Sequence, residues 1–157
     1  MTRSAGERER IVTGVDGSPG ATAALRWAVD EAARRASRLD AVIAWRPSPA
    51  VAPPVRDPPS SGRSPADRHE DAEALLDLAL DEIDAVGVEI DRRVMRGSPH
   101  RVLLEAAEGA CMVVVGGRSG QLAGRLPWST GQHLVHDANC PVVVVPPGAA
   151  SPRDRAR

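Results

Sequence analysis

The sequence predicts an α/β fold: a doubly wound, five-stranded parallel sheet with helices on both faces. Two observations point there. Strand-like and helix-like patterns alternate along the chain, five of the first and four of the second, and such alternation favours parallel strands joined by helical crossovers. The strand-like runs are also continuous stretches of Val, Ile, Leu and Ala, as in Val113-Val114-Val115 and Val142-Val143-Val144-Val145. Strands buried on both faces read this way.

Residues 1–9 are charged and read as a disordered lead-in. A first strand is expected over 10–15 and ends at Asp16-Gly17-Ser18-Pro19. There the turn passes into a helix start, with Ser18 as N-cap and Pro19 at the first helical position. The helix runs over 19–36, with Leu25, Ala28, Val29 and Ala32 as its apolar stripe and Arg34, Arg35 and Arg38 clustered at its end. A second strand covers 39–45. Residues 46–66 are rich in Pro, Ser and Arg and read as a loop. The next helix is expected over 67–86, with Gly87 as its stop. A strand with a polar face follows at 88–95, and Arg92-Arg93 reads there as a charged edge. Gly97-Ser98-Pro99 repeats the turn, cap and proline before a helix over 99–108. A strand over 111–116, a helix over 129–138 and a strand over 141–146 complete a single domain spanning 10–147. An arginine-containing tail, 148–157, reads as disordered.

Composition narrows the function. Twenty basic against 21 acidic residues leave a net charge of −1, which gives no electrostatic case for nucleic acid or an acidic membrane surface. Every basic residue is arginine. Mechanisms that need a lysine, such as a Walker A loop or a Schiff base, are therefore excluded. There is no Phe or Tyr, so Ala, Val and Leu must form the core. No apolar run is long enough to span a membrane and no signal peptide is evident. The expectation is a soluble cytoplasmic protein. Cys111 and Cys140 do not make a disulfide framework and read as small buried fillers.

The candidate site gathers at strand C-terminal ends, where ligands bind in such sheets. Val115-Gly116-Gly117-Arg118-Ser119-Gly120 ends one strand in a glycine loop, and Ser129-Thr130-Gly131 opens the following helix. Bare backbone after a strand and hydroxyls at a helix start suit a phosphate. Arg118 offers a cation for pairing. A strand-ending turn is the plainer reading of Gly116-Gly117, and an Asx turn the plainer one of Asp16. His133 and His136 share a helix face, but Cys140 lies past the helix and a structural zinc site needs four ligands. These histidines read as surface side chains.

The segments Ile11-Val12-Thr13-Gly14-Val15-Asp16-Gly17-Ser18, Arg96-Gly97-Ser98-Pro99 and Gln132-His133-Leu134-Val135-His136-Asp137-Ala138-Asn139-Cys140-Pro141 with the valines after it resemble the universal stress protein family. The resemblance runs from about residue 10 to 146. It implies strand order 3-2-1-4-5, a homodimer formed through the last strand (141–146), and an adenine nucleotide such as ATP, with Mg²⁺ beside it. It further implies a dimeric binding and signalling role in stress response, with no established reaction. Asp16 matches the family's acidic residue near the nucleotide, able to take a ribose hydroxyl or to hold a metal indirectly. Ala44 matches a position whose backbone reads adenine, and Gly14 and Val15 belong to the same strand end. Nucleotide-binding members carry G-x₂-G-x₉-G-[ST] after the fourth strand. Here Trp128-Ser129 stands at the last pair, while Gly117-x₂-Gly120-x₉-Thr130-Gly131 keeps the spacing with the final two residues exchanged. Two alternatives stay open: an interaction module that dimerises without nucleotide, and a slow ATP hydrolase.

Overall fold

A computed structural model describes residues 8–47, 64–117 and 130–149. Along the chain run β1 (Arg10–Val15), α1 (Pro19–Arg35), β2 (Arg38–Trp45), α2 (Pro65–Asp81), β3 (Ile90–Arg96), α3 (Pro99–Ala106), β4 (Met112–Gly116), α4 (Thr130–Asp137) and β5 (Val142–Val145). The five strands form one sheet in the order β3-β2-β1-β4-β5, and every pairing is parallel. The chain winds outward from β1 in one direction and then, from β4, in the other. The order reverses between β1 and β4, where a crevice opens beyond the strand ends.

Two apolar layers hold the sheet. On one face Ile11, Val15, Leu39, Ile43 and Val114 pack against Ala24, Leu25, Ala28 and Ala32 of α1 and Leu76 of α2. Ala24, Ala28 and Ala32 recur at four-residue steps on one helical stripe and are fully buried. With no large aromatic side chain in this layer beyond partly buried Trp27 and Trp45, α1 sits close to the strands. On the other face Val12, Val42, Val113 and Val115 meet Val102, Leu103 and Ala106 of α3 and Leu134 of α4. Fully burying a Leu or Val contributes about 1.5–3 kcal/mol, so Leu134, fully buried, anchors the short α4.

The helix starts follow local chemistry. The Ala21 amide donates to Ser18 Oγ at 3.2 Å, with Pro19 next to the cap. α2 begins earlier than its apolar stripe indicates, because Ser64 and Asp67 form a reciprocal capping box ahead of it. It also ends earlier, at Asp81 rather than Val86. No basic residue lies in its last turn, so the C-terminal end of the macrodipole goes uncompensated. Asp84 then accepts the Val86 amide at 3.2 Å, a local bond that competes with the helix. Gly87, at φ 81°, serves the turn beyond and not the helix end, and Val86 is 79% exposed. Ser98 occupies the cap position of α3 but makes no side-chain cap bond, unlike Ser18.

Arg38 belongs to β2 rather than to the end of α1, and it pairs with Asp91 and Glu89. Arg34 and Arg35 instead clasp the buried Glu31 at 2.8 and 2.5 Å. On β3, Arg92 pairs with Asp77 at 2.7 Å. Arg93 is more than an edge charge. It reaches Asp40, almost fully buried, at 3.2 Å, and Arg10 meets the same carboxylate at 2.7 Å. Both guanidinium groups bond Asp40 Oδ2 and offset the cost of burying its charge, while Oδ1 has no hydrogen-bond partner among the described residues. Arg10 also donates to the carbonyls of Ala106 and Glu108, tying the end of α3 to β1.

Candidate functional site

At the C-terminal ends of the central strands lies a cleft of about 120 Å³. Gly14, Val15 and Asp16 enter it from β1 and its following turn, Val42 and Ala44 from β2, and Val115 and Gly116 from β4. Ser18 and Ala21 line it from the start of α1, Pro99 and Leu103 from α3, and Thr130 from α4. Gly14, Val15, Asp16, Ala44, Val115, Gly116 and Thr130 were expected there from sequence, and the fold brings them together. The described walls enclose less than the few hundred Å³ usual for a ligand pocket. Arg118, Ser119, Gly120, Trp128 and Ser129, also expected near it, lie outside the described residues.

Gly117 and Gly131 lie beside the cleft and do not line it. The Gly117 amide donates to the Val145 carbonyl at 2.7 Å, so this glycine extends the β4 pairing with β5. A Cβ at Gly117 would meet Val144 at 3.3 Å and Pro146 at 3.4 Å. Gly131 is buried in α4. The walls that sequence reasoning missed are Val42, Pro99, Leu103, Ser18 and Ala21. Val42 and Leu103 carry no motif signal, since an apolar residue in a strand or helix reads only as core, while Pro99 stands in the Gly97-Ser98-Pro99 motif but reads there only as a helix start.

Each expected glycine has its own reason. A Cβ at Gly14 would stand 3.0 Å from Leu103 Cδ1, so a bare backbone keeps that part of the floor open. A Cβ at Gly116 would meet the Gly20 carbonyl carbon at 2.3 Å and the Ala21 nitrogen at 2.4 Å. Gly116 therefore lets the start of α1 cross the end of β4. Gly20 has the reciprocal need, because its Cβ would lie 2.3 Å from the Gly117 carbonyl oxygen. Gly17, at φ 77°, takes the left-handed conformation of the turn.

Asp16 is exposed at the rim, and its Oδ1 accepts the Ser18 amide at 2.8 Å. This is the Asx turn of the plainer reading. Its other oxygen takes no protein donor among the described residues. Thr130 lies at the described start of α4, where backbone amides and the macrodipole favour an anion. The donor set thus fits a nucleotide in kind: apolar walls for a base, backbone at Ala44, a carboxylate acceptor for a hydroxyl or a hydrated cation, and a hydroxyl at the described start of a helix.

A larger recess, about 520 Å³, opens at the other end of the sheet. Its arginines are already engaged: Arg10 by Asp40, Arg38 by Asp91, Arg8 by Glu89. Cys140 lines it as well, and burial pushes its thiol pKa up, away from the reactive thiolate. Size alone favours this recess, yet the chemistry and the switch point favour the smaller cleft. Among the described residues no group of three or more His, Cys, Asp or Glu side chains is placed to hold a metal, and no helix is long and apolar enough to cross a membrane.

The model of the universal stress protein family matches residues 7–146. A universal stress protein of Mycolicibacterium smegmatis is 37% identical over 141 residues, an alignment covering 87% of this chain and 45% of the relative. The chain spans about half the length of the curated relatives it matches. Among solved structures, a universal stress protein in complex with cAMP aligns with a TM-score of 0.68 at 24% identity, covering 90% of this chain and 99% of that one. A universal stress protein from Archaeoglobus fulgidus in complex with dAMP aligns with a TM-score of 0.62 at 25% identity, covering 87% and 97%.

Proposed function

This chain belongs to the universal stress protein family, and from that premise we propose that it binds an adenine nucleotide, with ATP and Mg²⁺ as the leading pair, in the cleft beyond β1, β2 and β4. The observation that carries the reading is the convergence of Gly14, Asp16, Ala44, Gly116 and Thr130 on one crevice at the switch point of the sheet. The dAMP complex of the 25%-identical relative supports it.

The base lies against Val42, Ala44 and Leu103, where backbone groups at Ala44 read its edge. Asp16 takes a ribose hydroxyl or, through water, a Mg²⁺ ion. The phosphates lie toward Thr130, Ser129 and the glycine loop of Gly117, Arg118, Ser119 and Gly120, with Gly131 next to Thr130 in α4. The protein acts as a dimeric binding and signalling domain in stress response; a slow ATP hydrolase stays the alternative, disfavoured because the sequence has no lysine to brace a transferred phosphoryl group.

The test is calorimetry of ATP, ADP and AMP, with and without Mg²⁺, on the wild type and on Trp128→Gly. The expected result is ATP binding by the wild type that strengthens with Mg²⁺, since a bare carboxylate near phosphates repels them and a divalent ion neutralises both. Binding only in Trp128→Gly would mean that tryptophan closes the natural site and the chain is a dimerising module. No binding of any nucleotide in either protein would end the reading.

A further inference from the structure

His100 on α3 and His133 on α4 face each other where the two helices pack. Their ring centres are 5.0 Å apart and their planes are inclined by 32°. Both side chains are half-buried, so His133 is not the surface side chain its sequence context indicates. Neither histidine lines the cleft, although their neighbours Pro99 and Thr130 do.

The ring spacing has room for a shared ion. An imidazole nitrogen reaches zinc at about 2.0–2.1 Å and the ring centre lies about 1.1 Å behind it, so each centre stands about 3.2 Å from the metal. Two such arms opened to the tetrahedral angle of about 109° place the ring centres about 5.2 Å apart, and at a right angle about 4.5 Å. The observed 5.0 Å falls between the two. The rings sit on separate helices, and their spacing is held by Val102, Leu103, Ala106 and Leu134, buried together in one cluster. Soft or borderline dications prefer such nitrogen donors to the hard oxygen ligands of magnesium.

We propose that His100 and His133 form a two-imidazole site for a transition-metal dication of the zinc type, bridging α3 and α4. No third ligating side chain joins them among the described residues. With water in the positions that the described residues leave, the site is open and exchangeable rather than a closed structural one. The inference is independent of the nucleotide reading and is tested without nucleotide.

The experiment titrates zinc chloride into the untagged full chain by calorimetry. One zinc ion per chain is expected. Affinity should fall roughly tenfold or more in His100→Ala and in His133→Ala, and should weaken in the wild type as acid protonates the imidazoles. His69→Ala and His136→Ala should bind as the wild type does. Unchanged affinity in the His100→Ala/His133→Ala double variant would overturn the proposal. An equal loss in His136→Ala would also overturn it, by moving the ion onto one face of α4. Should a variant fold poorly, imidazole NMR of the wild type decides: zinc should move the His100 and His133 resonances, and movement confined to other histidines would refute the site.

Discussion

Asp16 carries two readings at once, and its geometry lets them be separated. One carboxylate oxygen is committed to the Ser18 amide, and Ser18 in turn caps α1. The charge is not needed for that turn; an acceptor is. Asp16→Asn keeps the acceptor and removes the charge. It should leave folding stability within about 0.5 kcal/mol of the wild type while abolishing the Mg²⁺ dependence of ATP binding. Asp16→Ala removes the acceptor too and should cost about 1 kcal/mol. Urea melts and calorimetry on the three proteins read both effects. Undiminished Mg²⁺ dependence in Asp16→Asn would confine this residue to its turn. Residues of this kind are legible in a sequence because strand ends and turns carry local signals. Asp40 is not: its partners Arg10 and Arg93 are 30 and 53 residues away, and nothing local marks a buried ion cluster. Leu103 likewise shows no sign of walling a cleft, because its pattern is that of any core leucine.

Among the elements, the crossing of α1 over the end of β4 depends on two glycines that lie far apart in sequence. Glycine inside a helix disfavours it by about 1 kcal/mol relative to alanine, so propensity alone predicts that Gly20→Ala stabilises. The structure reverses that sign. The added Cβ would stand 2.3 Å from a backbone carbonyl oxygen that cannot swing aside as a side chain can. Overpacking of this kind costs about 1–3 kcal/mol, which exceeds the propensity gain. Gly20→Ala and Gly116→Ala should both destabilise, and Gly117→Ala should do so less, its nearest contact being 3.3 Å to a valine methyl. Chemical denaturation orders the three. A stabilised Gly20→Ala would show that α1 and β4 stand farther apart than described. The same scale shows where sequence reading succeeds and fails. Helical period and continuous apolar runs place the nine elements of the described residues, since each helix buries one face and the central strands bury both. The ends of α2 escaped because they are decided by single side-chain bonds, the Ser64–Asp67 box and the Asp84 turn.

For the molecule as a whole, the two sheet edges are unlike. β3 carries Arg92 and Arg93, paired with Asp77 and Asp40, and charged side chains discourage strand addition. β5, at the opposite edge, is four valines with no charge. Val144 is 48% exposed there, and Val135 on the neighbouring α4 is 64% exposed. An uncovered apolar edge is an aggregation hazard, and pairing with a second copy about a two-fold axis removes it through a self-complementary contact. A homodimer through residues 141–146 follows as the expected assembly. Val144 is the residue with which to test it. Val143 packs against the α1 side of the core, so a charge there would disturb folding as well as association. Val144→Lys sets a cation opposite its own copy in an interface with no acid on the strand, and light scattering after gel filtration should then report a monomer. Leu78→Lys on α2, 58% exposed and away from β5, should leave the mass unchanged. A dimer that survives Val144→Lys but dissociates in Leu78→Lys would place the interface on the α2 face instead.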